Sequence, residues 1–314
     1  MAAALDQRGR HADSPDEIPA PGWRDILWRV HKHAARERLG IAAAGVAFYA
    51  LMSLFPTLIA IIGIYGMVYT PDEITRHVAL ISTWLPPRAA DLFTAQMEEI
   101  IGLNSMRWRI GSLAAVLLAL WAASAGMRAL LNGLNITYHE ETGPILRFYL
   151  KSFVFTLGAV LSAMASLFLI FGLPVVLRYA GLEAGVLVTL RWALLAGAAM
   201  LGLAILYRYG PSRRMPRWRW VSPGAAIATG LWVIASALFS MYVVNFDRYN
   251  ATYGSIGAVL VVLTWFLITA WAILLGSEIN AQMERQTEED TTEGPRRPLG
   301  QRGARAADTV GSEH

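Results

Sequence analysis

The chain has 314 residues, 55% of them hydrophobic and 16% charged, with 27 Lys and Arg against 23 Asp and Glu for a formal charge of +4. Soluble domains carry roughly 25% charged residues, and here the deficit is concentrated in long runs, which is the signature of a membrane protein. The modest positive charge calls for no nucleic-acid partner, and the absence of cysteine excludes disulfides, thiolate catalysis and Cys-ligated metal.

Residues 1–22 are polar, carry Pro15, Pro19 and Pro21, and read as a disordered tail. Over 23–38, Trp23, Ile26, Leu27, Val30 and Ala34 share one helical face against Arg24, Arg29, Lys32, Arg36 and Arg38. Such a basic amphipathic helix beside a membrane run is expected to lie on lipid headgroups. The first span is predicted over 41–69. Pro56 lies near its middle, lacks an N–H for the carbonyl of Met52, and predicts a kink.

Residues 71–109 form a polar insert in which Ile74, Val78, Ile81 and Leu85, and then Leu92, Phe93, Met97, Ile100 and Ile101, recur at helical spacing. The insert reads as two short amphipathic helices lying outside the bilayer core. Further spans are predicted over 110–131, 150–177, 185–207, 224–244 and 255–277. The third carries Gly158, Ser162 and Ser166 at four-residue spacing, a stripe suited to close helix packing. The last, Ser255 to Ser277, holds no charged side chain and is long enough to cross a hydrocarbon core of roughly 30 Å. It does not alternate as a barrel strand would, so backbone satisfaction inside lipid demands a helix. Residues 286–314 read as a disordered tail. The fold class is therefore all-α, a polytopic six-helix transmembrane bundle with a helical insert between the first two spans, in a membrane domain over 23–285.

Orientation follows from loop charge. Arg208, Arg213, Arg214, Arg217 and Arg219 fall in one loop without an acid, and Arg147 and Lys151 in another, while 71–109 is slightly acidic. The positive-inside rule places both termini in the cytoplasm, and an even number of spans agrees.

Few residues offer chemistry. His31 and His33 lack a third ligand, His11, His77 and His139 are scattered through polar segments, and no nucleotide-loop, zinc-protease or serine-hydrolase motif occurs. No catalytic, cofactor or metal residue is expected. Charges at membrane depth are the better clues, because burying them is costly. Arg128 lies at the exit of the second span, and Glu278 and Asn280 follow the sixth. An acid at a helix C-terminus opposes the helix dipole and needs a partner, for which Arg128 is the candidate. Asp247, Asn250 and Tyr253 belong to a polar connection between the fifth and sixth spans, either a satisfied turn or one wall of a cavity.

Three segments, AAGVAFYALMSLFPTL at 43–58, YRYGPSRR with WRWVSPGA over 207–225, and YGSIGAVLVVLTWFLITAWAILLGSEINAQMER at 253–285, resemble the YihY/BrkB family of bacterial inner-membrane proteins. The resemblance spans about residues 25–285 and implies six spans, a bacterial cytoplasmic membrane and cytoplasmic termini. The family has also carried a ribonuclease BN label, which implies a His and Asp metal cluster that this chain does not offer. Two functional readings follow. One is a transporter, exporter or lipid-moving protein, with Pro56, Arg128, Glu278 and Asn280 lining a polar cavity. The other is a non-transporting scaffold or envelope-stress factor. The expected partners are the lipid bilayer and an unidentified small-molecule or lipid substrate, with a homo-oligomer left open.

Overall fold

The computed structural model describes the backbone of residues 8–36, 39–68, 106–172 and 184–312, and most of their side chains, those of 58–68 and 244–256 being the longest exceptions. A short 3₁₀ turn, Pro15–Glu17, precedes α1 (Ala20–Arg36), α2 (Leu39–Val68), α3 (Met106–Tyr138), α4 (Ile145–Leu167), α5 (Ala184–Tyr209), α6 (Trp218–Glu284) and a final short α7 (Arg305–Asp308). A π-helical turn, Phe168–Gly172, extends α4. The protein is all-α, as its hydropathy predicts. Among the described residues the only strand-like pairing is the isolated bridge of Pro216 with Thr292. The insert expected over 71–109 lies outside the described residues, apart from its last positions, which α3 takes in.

Among the described residues, five helical segments have the length and apolarity to cross a bilayer: Val116–Tyr138, Ile145–Ile170, Trp192–Tyr209, Trp218–Val243 and Val259–Glu284. A sixth is reached when α1 and the Leu39–Leu54 part of α2, bent by 65° at their junction, count as one broken span. Pro56 lies inside α2, which continues through it as a 30-residue helix. Helical backbone runs through all 67 residues of α6. Its two ends nevertheless meet, since the Gly224 amide donates to Asn280 Oδ1 at 2.9 Å. The chain therefore reverses between the two arms, and the predicted connection over 245–253 is helical in backbone rather than a loop.

The chain forms two compact units, one made of residues 1–51 with 126–314 and the other of 52–125. In the second, Val116, Ala119, Leu120 and Ala123 are buried while Leu113, Leu117, Leu118 and Trp121 are exposed, so α3 presents an i, i+3, i+4, i+7 buried stripe. Thr57 Oγ1 donates to the Ser53 carbonyl at 2.7 Å, one turn below and beside Pro56.

The first unit is built round the foot of the α6 hairpin. Ala43, Leu131, Leu134, Phe148, Tyr207, Val221, Ala225, Ala228, Ala270 and Leu274 form one apolar cluster drawn from α2 to α6. Small residues let the two arms approach closely. A Cβ on Gly276 would stand 2.6 Å from Ala228 Cβ, 2.6 Å from the Tyr207 hydroxyl and 2.7 Å from the Gly224 carbonyl. One on Gly224 would collide with the Gly276 carbonyl and the Asn280 amide. The stripe expected on α4 behaves differently. Gly158 and Ser162 are exposed, and a Cβ on Gly158 would meet nothing within 4 Å.

Candidate functional site

The last apolar run ends in polar sequence, and this is where the structure concentrates its burial. Ser277, Glu278, Asn280, Gln282, Glu284 and Gln286 are all fully buried. Burying so many polar groups is costly unless each finds a partner. Ser277 and Thr137 share a hydrogen bond of 2.9 Å. Asn280 donates to the Val221 carbonyl at 3.1 Å and accepts from the Gly224 amide at 2.9 Å, so one side-chain amide ties the last turns of α6 to its first. Glu278 accepts from Gln282 Nε2 at 2.8 Å. Glu284 holds Arg213 through two bonds, of 2.6 and 3.0 Å, with both side chains sealed from solvent, and also accepts from Thr291 Oγ1 at 2.9 Å. The Arg213 guanidinium lies 4.1 Å from the centre of the Tyr138 ring. Burial alone would lower its pKa, but Glu284 and Tyr138 outweigh that and raise it, so the guanidinium stays charged.

Two expectations are corrected here. Arg29 was placed on the outward basic face of the first helix; it is only 1% exposed. The buried stripe of α1 is Gly22, Asp25, Ile26, Arg29 and Val30 at helical spacing, and Leu27, assigned to the apolar face, is exposed instead. Arg29 uses every nitrogen: Nε donates to Gln282 Oε1 at 3.0 Å, Nη2 to Gln286 Oε1 at 2.6 Å and to the Gln282 carbonyl at 3.1 Å, and Nη1 to the Ser312 carbonyl at 3.0 Å. Meanwhile Ile26 and Val30 pack with Trp220, Ile279 and Met283. This face of α1 therefore docks on α6, not on headgroups.

The second correction concerns the terminal segments. Composition predicts disorder for both, yet 8–18 and 285–312 are folded onto the end of α6. Arg10 reaches the Gly311 carbonyl at 2.8 Å, and the Gly311 amide donates to the Arg285 carbonyl at 2.8 Å. Thr291, Thr292, Ala306 and Ala307 are buried. Arg302 donates to four main-chain carbonyls, of Glu288, Glu289, Arg297 and Ala307, and the Asp308 carboxylate accepts from the amides of Gly300, Arg302 and Gly303. Arg208, in the last turn of α5, gains its counter-charge from this tail, pairing with Glu293 at 2.6 Å. Both terminal segments thus share one end of the bundle.

Of the other predicted residues, Arg128 lies over the Tyr149 ring at 4.9 Å, and Pro56 belongs to the second unit. The side chains of Asp247, Asn250 and Tyr253 lie outside the described residues.

A cleft of about 320 Å³ opens at the same end, lined by Arg29, His33, His139, Gln282, Arg285, Arg305 and residues 309–312. His139 was read as a scattered, solvated histidine. It sits instead at the C-terminus of α3 in the left-handed region, φ 54°, where its amide bonds the Ile136 carbonyl and the Glu140 amide bonds that of Asn135. These two bonds form a Schellman cap, which glycine usually fills. Burial first, and then the fields of Arg285 and Arg305, push its pKa down from 6.5 to about 4. Its ring meets that of His33 edge-on at 5.6 Å between centroids. Sequence reasoning missed this group because its members come from four separated segments. The one local signal was the uneven spread of basic residues. No group of three or more His, Asp or Glu suited to a metal occurs among the described residues.

Comparison with known proteins fits this geometry to a family. The profile of the family described as virulence factor BrkB matches residues 30–300. The chain belongs to the virulence factor BrkB family. It is 32% identical over 254 residues to the ribonuclease-like protein YfkH of Bacillus subtilis, covering 78% of this chain and 90% of that one. It is 27% identical over 269 residues to a UPF0761 membrane protein of Alteromonas mediterranea, covering 84% and 89%, and 24% identical over 267 residues to one of Photobacterium profundum, covering 82% and 80%. No solved structure matches. The matched range takes in all five unbroken spans described above and the end of α6, so this BrkB-family chain is a multi-pass protein of the bacterial inner membrane. The Alteromonas and Photobacterium relatives are both named as membrane proteins.

Proposed function

We propose that the protein moves a solute or lipid across or within the bacterial cytoplasmic membrane, with both termini in the cytoplasm. The observation that carries this reading is a gradient of packing along the same helices. At the buried polar end, Gly224 and Gly276 have no room for a methyl group, and one on Gly133 would press on the Leu274 side chain. Farther along the spans, Gly158, Gly197, Gly202 and Gly230 would meet nothing within 4 Å. In an apolar 18-residue stretch of Ile145–Ile170, and in one of Trp218–Val243, only 11% is buried within the protein. Helices fixed at one end and loosely engaged beyond it can separate at membrane depth without dismantling the fold, which is what a passage between spans requires. Pro56 gives one further span a point where a main-chain hydrogen bond is missing.

The cytoplasmic placement rests on Arg208, Arg213, Arg214, Arg217 and Arg219 in the loop at the end that carries both termini. Arg128 is proposed to sit within the field of Glu278. Reversing both charges should then recover the yield lost by reversing either, and failure to recover it removes the pairing.

Flux in reconstituted liposomes tests the main reading, guided by a comparison of the solutes and lipids retained by cells with and without the protein. A retained compound that the liposomes release only when the protein is present supports it. Equal retention under several envelope stresses, with no lipid exchange between leaflets, contradicts it and favours a scaffold. The specific support for a scaffold is the folded cap of terminal segments, which offers partners a rigid surface.

A further inference from the structure

The cleft beside the end of α6 has no part in the packing gradient and stands on its own evidence. It gathers positive charge from three segments: Arg29 of α1, Arg285 just after α6, and Arg305 of α7, with the rings of His33 and His139 alongside. No Asp or Glu is among its lining residues. Arg29 is 1% exposed and Arg285 8%, so these are not outward-pointing surface charges. Like charges gathered in a partly desolvated concavity repel one another unless an anion joins them.

Further features give the cleft the form of a site. Burial first, and then the fields of Arg285 and Arg305, hold the pKa of His139 down and leave a neutral imidazole able to donate one N–H. That imidazole is held in a left-handed cap position, φ 54°, where glycine would be easier to accommodate. The far wall is the chain's own strap. Gly311 is locked by Arg10 and the Arg285 carbonyl, and a Cβ there would press within 2.6 Å of Arg29 Nε. Arg29 is saturated by Gln282, Gln286 and Ser312, so it contributes field, while Arg305 is exposed at the rim.

We propose that this cleft binds the phosphate group of an anionic ligand, either a phospholipid headgroup or a soluble phosphate ester. Guanidinium forks match phosphate oxygens in geometry and charge. At about 320 Å³ the cleft is at the lower end of the roughly 300–1,000 Å³ of small-ligand sites, room for a phosphate with a small substituent. Binding does not depend on transport, so either reading can fail while the other stands.

The test is equilibrium titration of the full-length protein in detergent with three probes: inorganic phosphate, glycerol 3-phosphate and short-chain phosphatidic acid. At least one should bind saturably and weaken as salt is raised. Arg305→Ala should weaken it at least about tenfold, the loss of one charge-assisted hydrogen bond. Arg305 is exposed, so this variant should keep the parent's melting temperature, and Arg285→Gln provides a second. Binding of phosphatidic acid alone assigns a headgroup, and binding of the soluble probes assigns a phosphate ester. No saturable binding by any probe, or equal affinity in parent and both variants, overturns the proposal.

Discussion

Gly224 and Gly230 lie less than two turns apart on one arm of α6, yet a methyl group would be blocked at the first and unopposed at the second. The same contrast separates Gly276, wedged against Ala228 and Tyr207, from Gly158 on α4, which faces open space. Both kinds of glycine sit in apolar helical sequence. What distinguishes them is the polar network at the foot of the hairpin, which draws the helices together only there. In a bilayer the hydrophobic effect does not press spans on one another, so close packing and hydrogen bonds decide where they touch. Here those contacts are gathered at one end.

Substitutions break or sharpen this contrast. Gly276→Leu should have the largest effect. One of its neighbours is backbone, so the arms must part, at a cost of about 4 kcal/mol or more, seen as loss of monodisperse protein in detergent chromatography. Glu284→Ala strands the sealed Arg213 and should cost about 3–5 kcal/mol. Replacing both members of that pair with Met should restore much of the stability, and a double variant as unstable as the single would show that the pair itself is not the cause. Asn280→Ala removes one donor and one acceptor across the helix crossing, and a loss of about 1–3 kcal/mol is expected in thermal melts. At the open end, Gly158→Ala should change stability by no more than about 1 kcal/mol, in the stabilising direction, because alanine is the better helix former. A large loss there would mean that the α4 face is packed after all.

The histidine of the cleft adds a pH dependence confined to the polar end. The folded pKa of His139, about 4, lies below its ordinary 6.5, so the unfolded chain binds the extra proton between those values. The stability this supports is complete above about pH 6.5 and is lost as pH falls towards 4. The melting temperature should therefore fall on acidification in the parent and fall less in His139→Gln. Equal slopes would mean that His139 is solvated.

Span positions were legible in the sequence because apolar length is a one-dimensional property. The end of the second span was not. α3 runs on to Tyr138 because Leu134, Asn135, Thr137 and Tyr138 are buried by other segments. Glu278 and Asn280 stood out as polar residues beyond a greasy run, and both lie in the buried network, though Asn280 ties backbone to backbone where a cavity wall was expected. The terminal segments were misread for a physical reason. Their order comes from Arg10, Arg29, Arg302, Asp290 and Asp308 binding main-chain and side-chain partners, and such bonds leave no period and little apolar content to detect. The cleft was hidden for the same reason, since it exists only once those segments dock.

The folded polar end is the central feature of the molecule, and amide hydrogen exchange of the full-length protein in lipid nanodiscs tests it directly. If the tail is docked, the amides of Arg217, Glu293 and Gly311, each bonded to a carbonyl of another segment, should be protected together with residues 277–286. Complete exchange of 288–312 within seconds, alongside a protected α6, would contradict it.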